Sequence, residues 1–226
     1  MSTEGERAGA HPPNEQYLVA IFVMEEEGGE VIQARLAERL GHAAPTVSEM
    51  VHRLKDQGYV EANGRVLTLT KAGRDLAANA VRKHCLVARL MTDIIGVPWH
   101  QVHAEAARWS HVVSDEMAER LMAILGNPET CPHGNPIPGS CGQLAPTSLL
   151  ADAKVGQQVC LARIMELARF DDDALRYLED HGFIPGVEAT VAAQGPDGSL
   201  VLDVDNQKVV MGASMAKLLC VWPAGR

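Results

Sequence analysis

Residues 31–59 read VIQARLAERL-GHAA-PTVSEMVHRLKDQGY, and this stretch decides the fold. Its first run places Ala34, Ala37 and Leu40 on one helical face, with Leu36 beside them. Gly41 is the expected stop, because glycine enters the left-handed conformation that closes a helix at no steric cost. Pro45 suits the first turn of a second helix, where its missing N–H would have no partner anyway. That helix carries Val47, Met50, Val51 and Leu54 at i, i+3, i+4 and i+7, an apolar stripe fit for a core. Thr46, Ser48, Glu49, His52 and Arg53 occupy its other face. Two short helices about a tight turn, the second with a polar outer face, describe a helix-turn-helix; a plain helical hairpin is the competing reading.

The residues that follow decide between the two. YVEA (59–62), NG (63–64) and RVLTLT (65–70) read as strand, tight turn and strand. Asn-Gly is a strong hairpin signal, because a two-residue turn of this kind needs positive φ. A hairpin directly after the second helix makes a winged helix, with Arg65 on the wing. Residues 31–83 hold nine Lys/Arg against five Asp/Glu, a net +4 inside a chain of formal net charge −9. Affinity for DNA is dominated by neutralised phosphates, so a basic module in an acidic chain points to DNA contact by that module alone. Arg35, Pro45, Thr46, Ser48, Glu49, His52, Arg53 and Arg65 are the expected contacts to double-stranded DNA.

At 226 residues and 46% hydrophobic, the chain can fill more than one core. No apolar run approaches the roughly 18 residues of a membrane helix, and the N-terminus lacks a signal-peptide core, so a cytoplasmic protein without membrane contact is expected. Five cysteines, an odd number spread thinly, argue against a disulfide framework and leave core packing or metal binding.

Upstream of the helix-turn-helix, residues 1–13 read as a polar tail. Residues 14–27 read as an amphipathic helix (Tyr17, Leu18, Ile21, Phe22, Met24) that completes the winged-helix core. Downstream, Thr70 caps a long helix from Lys71 to about Ile95. A further helix runs from His100 to Val113, and a third, capped by Ser114, ends at Gly126-Asn-Pro128. Three helices with broad apolar faces and little core of their own suggest a dimerisation domain, which paired half-sites on DNA would need. A Pro- and Gly-rich stretch, CPHGNPIPGSC (131–141), precedes a change of pattern. Short strands are expected at 157–164, 187–193, 200–204 and 208–211, with a helix at 171–181, making a small β-barrel. The expected domains are 1–78, 79–146 and 147–226, a mainly α chain with small β parts.

Several of these segments, in this order, carry a resemblance: Tyr17 to Gly28, Ile32–Leu40, Pro45-Thr-Val-Ser48, Arg82-Lys-His84, Gly96-Val-Pro-Trp99, Val102-His-Ala-Glu-Ala106, Arg108-Trp109 and Gly134-Asn-Pro-Ile-Pro-Gly139. The chain resembles the iron-dependent regulators of the diphtheria toxin repressor (DtxR/IdeR) type over nearly its whole length. The resemblance implies a winged helix-turn-helix, a helical dimerisation and metal-sensing domain and an SH3-like, FeoA-type barrel. It also implies a homodimeric, non-enzymatic repressor of metal homeostasis, bound to a palindromic operator and switched by divalent metal. Metal draws in the first helix of such proteins.

Position by position, the resemblance carries over only part of the family's ligands. In the first set Gln16 stands for a methionine, Ala107 for a cysteine and Ser110 for a glutamate, and His111 is kept. In the second set His84 and His103 are kept, Ala88 replaces a glutamate, and two barrel ligands fall on Glu166 and Arg169. His103 and His111 lie two helical turns apart, roughly 12 Å, too far to share an ion without another donor between them. The candidate ligands are therefore His84, His103, His111 and Glu166, for Fe2+ foremost, with Mn2+ or Zn2+ as alternatives. A haem or iron–sulfur centre held by Cys131, His133, Cys141 and Cys85 is a second reading, and a metal-independent DNA-binding paralogue a third. Cys160 and Cys220 read as core, and His42, His52, His100 and His181 as surface or DNA-facing residues. Glu49 stands where the iron regulators carry glutamine. A carboxylate can accept from cytosine N4, so a related but distinct operator is expected.

Overall fold

The structure is a computed structural model that describes residues 13–140, 145–165 and 172–224. The chain divides into two compact units. One comprises the chain up to Val87 together with Ala104–Ile124; the other comprises Ala88–His103 together with the chain from Leu125 onward.

The first unit opens with helix α1 (Pro13–Glu26), followed by α2 (Gln33–Leu40) and α3 (Ala44–Asp56). Gly41 closes α2 at φ 66°, as its position demanded, and Pro45 lies in the first turn of α3. Strands β1 (Val60–Asn63) and β2 (Val66–Leu69) pair antiparallel, with Asn63 opposite Val66. The turn is therefore Gly64-Arg65, one residue later than the Asn-Gly signal suggested. Gly64 alone of that pair takes positive φ, 61°, the pattern of a turn with glycine first, and Arg65 reaches the wing tip. Tyr17, Leu18, Ile21 and Met24 of α1 pack with Leu36, Val47, Val51, Leu54, Val60 and Leu67 in one core. Each large side chain there contributes about 1.5–3 kcal/mol by leaving water.

Helix α4 (Lys71–Arg89) starts at the Thr70 cap, whose hydroxyl accepts from the Gly73 N–H at 3.1 Å. The expected single helix to Ile95 instead changes to a π-helical turn over Leu90–Ile95 and stops at Gly96, φ 80°. The helix expected from His100 is split. A 3₁₀ turn covers Trp99–Gln101, α5 covers Val102–Trp109 and a second 3₁₀ turn covers Ser110–Val112. Ser114 caps α6 (Asp115–Ile124) through the Met117 N–H, 3.1 Å.

In the second unit β3 (Ser148–Leu149), β4 (Gln158–Ile164), β5 (Glu188–Gln194), β6 (Leu200–Val204), β7 (Gln207–Met211) and β8 (Leu219–Pro223) form one antiparallel sheet in the order β3-β8-β4-β5-β6-β7. Helices α7 (Asp172–Asp180) and α8 (Ala213–Ala216) complete this SH3-like domain. The sequence signalled four of the strands; β3 and β8 went unread. The core gathers Leu161, Ile164, Leu175, Leu178, Phe183, Val191, Leu202 and Val221, and it also takes in Trp99 from far upstream. No helix among the described residues is long and apolar enough to cross a membrane. Cys85, Cys131, Cys160 and Cys220 form no disulfide.

Candidate nucleic-acid interface and metal ligands

Burying the Val47, Val51 and Leu54 stripe of α3 fixes which of its residues face outward. Pro45, Thr46, Ser48, Glu49, His52 and Arg53 are all exposed, as are Arg35 on α2 and Arg65 on the wing. Gln33, Pro45, Ser48, Glu49, His52 and Lys55 line an open concavity of about 500 Å³. Arg35 donates to the Glu30 carbonyl at 3.2 Å, which orients the guanidinium, and His52 stands 3.8 Å from Asp56. The eight expected contacts thus share one unit and remain open to solvent, with no acidic residue in the first turn of α3 to repel a phosphate.

The kept imidazoles are distributed between the units. His84 on α4 is half-buried and His111 is exposed, both in the first unit. His103 is buried in the second. There His103 meets His133 edge-on, ring centroids 6.2 Å apart, and His133 also packs on Trp99 at 4.6 Å. This neighbour was not legible, because 30 residues separate the two histidines.

The loop that carries His133 is firmly seated. Ile164 N–H donates to the His133 carbonyl at 3.0 Å, Asn135 Nδ2 to the Ile164 carbonyl at 2.8 Å, and Trp99 Nε1 to the Pro132 carbonyl at 2.9 Å. Cys131 is buried in the same loop, Cys85 is buried on α4, and Cys141 and Glu166 lie outside the described residues. Cys220 is core, as expected. Cys160 is half-buried, and burial, with Glu188 nearby, raises its thiol pKa.

Two histidines assigned to the surface have definite partners. His42, in the turn between α2 and α3, shares a 2.7 Å hydrogen bond with the Tyr17 hydroxyl. Burial raises the pKa of that hydroxyl. His100 bonds Glu179 through Nδ1 and its backbone N–H, and Trp99 N–H donates to the same carboxylate at 3.0 Å.

The two ligand sets of the resemblance fare differently. In the first, Gln16 and Ala107 are half-buried, Ser110 is 1% exposed with its Oγ lacking a hydrogen-bond partner, and His111 is exposed. A hydroxyl and an amide are poor donors beside the carboxylate and thioether they replace, and Ala107 offers none in place of the thiolate, so these residues do not fit a divalent ion. In the second, two imidazoles persist. Among the described residues, no three His, Cys, Asp or Glu side chains converge as a complete ligand set.

Three family descriptions match the chain. "Iron dependent repressor, N-terminal DNA binding domain" covers residues 12–66, "Iron dependent repressor, metal binding and dimerisation domain" covers 70–139, and "FeoA domain" covers 149–223. The iron-dependent repressor IdeR of Mycobacterium leprae is 38% identical over 214 residues, spanning 89% of this chain and 93% of that protein. The diphtheria toxin repressor of Corynebacterium diphtheriae is 38% identical over 205 residues, spanning 86% and 90%. A solved manganese-dependent transcriptional repressor in complex with manganese superposes with a TM-score of 0.82 at 33% identity, covering 93% of this chain and 99% of that one.

Proposed function

Since the chain belongs to the family of iron-dependent repressors, we propose that it is a cytoplasmic, homodimeric repressor that binds a palindromic operator under the control of a divalent metal ion, Fe2+ before Mn2+ or Zn2+. The observation that carries the DNA reading is the fully exposed polar face of α3 beside the Arg65 wing. Arg53 is an exposed cation of α3, as is Lys55. Arg53→Ala should weaken operator binding on the order of tenfold and lower the salt slope by about 1. Filter binding across a salt series reads both numbers, and an unchanged slope removes Arg53 from the interface.

For the metal we propose His84, His103 and Glu166 as ligands. Imidazole and carboxylate suit Fe2+, Mn2+ and Zn2+, and two of the three are kept by the family pattern. His111 is left out, since Gln16, Ala107 and Ser110 give it no companion donor of comparable strength. A bound divalent ion favours DNA binding only as far as the DNA-competent arrangement binds it better. His103→Ala should raise the metal concentration that supports operator binding by at least the roughly tenfold that loss of even an outer-shell partner costs. An unaltered midpoint in anaerobic metal titrations would remove His103 from the ligand set.

A further inference from the structure

The family's first ligand set is absent in all but His111, yet α1, the helix such a set would position, is held on every side. Seven contacts within the first unit do this. The Tyr17 hydroxyl bonds His42 in the turn before α3, 2.7 Å. Asn14 Nδ2 donates to Gln57 Oε1 at the end of α3, 3.3 Å. Glu25 accepts the Leu69 N–H of the wing at 3.1 Å and takes a hydrogen bond from Arg74 of α4. Glu26 stands 3.4 Å from the same Arg74, whose guanidinium lies over the Phe22 ring at 5.6 Å. Just past the helix, Glu27 pairs with Arg39 of α2 at 3.3 Å, with side chains 10% and 7% exposed. Beneath these polar contacts Leu18, Ala20, Ile21 and Met24 fill the core.

We propose that α1 is seated on the winged helix by these residues alone, and that no metal ion at Gln16, Ala107, Ser110 and His111 takes part. The seat reaches α2, the turn, α3, the wing and α4, so it fixes the whole DNA-reading unit before any metal is present. Metal control then acts through the second ligand set and does not order α1. The pair Glu27–Arg39 is central, because it ties the end of α1 to α2 with both side chains nearly buried. The inference rests on the DNA-binding reading of α3, and it stands or falls separately from metal control.

The test is amide hydrogen exchange of residues 13–26 in the full-length protein, first with chelator and then with saturating Mn2+, alongside operator affinity in both states. The expected result is the same protection of α1 in both states, within about twofold. Protection that rises about tenfold or more with Mn2+ overturns the proposal while leaving metal control intact. Operator binding indifferent to Mn2+, with α1 protected throughout, supports the seat and removes metal control. In chelated protein, Arg39→Gln and His42→Phe should each speed α1 exchange, Arg39→Gln by at least about tenfold, with exchange in β4–β6 unchanged as the control for folding. Exchange in α1 unmoved by both variants overturns the assignment of these contacts as the seat.

Discussion

Gly134→Ala is expected to destabilise the second unit by about 3–5 kcal/mol, the range of severe single substitutions, and to lower its melting temperature by roughly 10 °C. A Cβ at this position would stand 2.0 Å from the Ala162 carbonyl oxygen and 2.8 Å from Arg163 Cα. Both are backbone atoms of β4, which Arg163 and Ile164 tie to β8 through their pairing with Cys220 and Leu219, so neither can move without disturbing that ladder. The φ of 81° adds strain for any residue with a side chain. Relief requires the loop to leave the strand, and with it the Ile164-to-His133 and Asn135-to-Ile164 hydrogen bonds. Against this, the loss of glycine's freedom in the unfolded chain restores less than about 1 kcal/mol, so the clash wins. Calorimetry measures the shift. A melting temperature within roughly 2 °C of the parent would mean the loop does not rest on β4 as described.

The second large effect centres on Glu179. Its carboxylate accepts from the Trp99 and His100 N–H groups and from the His100 ring, a triple contact that ties the 3₁₀ turn to α7. Glu179→Ala leaves two backbone donors and an imidazole without that acceptor, and should cost about 2–4 kcal/mol. The pH dependence is a separate signature. Burial pushes the carboxyl pKa up, but the hydrogen bonds from the His100 ring, the His100 N–H and the Trp99 N–H, with the charge of His100, outweigh it and hold the pKa below the ordinary 4.5. A carboxyl depressed by folding stabilises the fold fully above its unfolded value, and that share is lost as the pH falls through the lowered one. The parent should therefore lose stability between these values, and Glu179→Gln should show a flatter profile there. Parallel acid titrations that superimpose would exclude this role for the carboxylate.

Local chemistry carried most of what could be read. The 3.6-residue stripe of α3, the Gly41 stop, the Thr70 and Ser114 caps and four strands each depend on neighbours within a few residues. The wing turn slipped by one position because Asn63 went into the ladder opposite Val66, leaving glycine first in the turn. His42 and His100 were read as surface because nothing nearby offers them a partner. Tyr17 and Glu179 lie 25 and 79 residues away, and only the fold brings them together. β8 was the more accessible omission, since Leu-Cys-Val-Trp-Pro is an apolar run rich in strand formers, whereas the two residues of β3 carry no pattern at all. The ligand sets were legible as three kept histidines and as losses, because an alanine or serine in place of a donor shows in the sequence while its spatial consequence does not.

Trp99 makes one more consequence plain. Its indole fills the core of the FeoA-type domain and is anchored to Pro132, though it lies some fifty residues before that domain's first strand. A fragment cut to begin at residue 147 would keep every strand and still miss a piece of its own interior. Such a fragment, expressed alone, would expose the apolar hollow left by the ring and tend to self-associate. A recombination event that moved it into another protein would have to bring a substitute aromatic along.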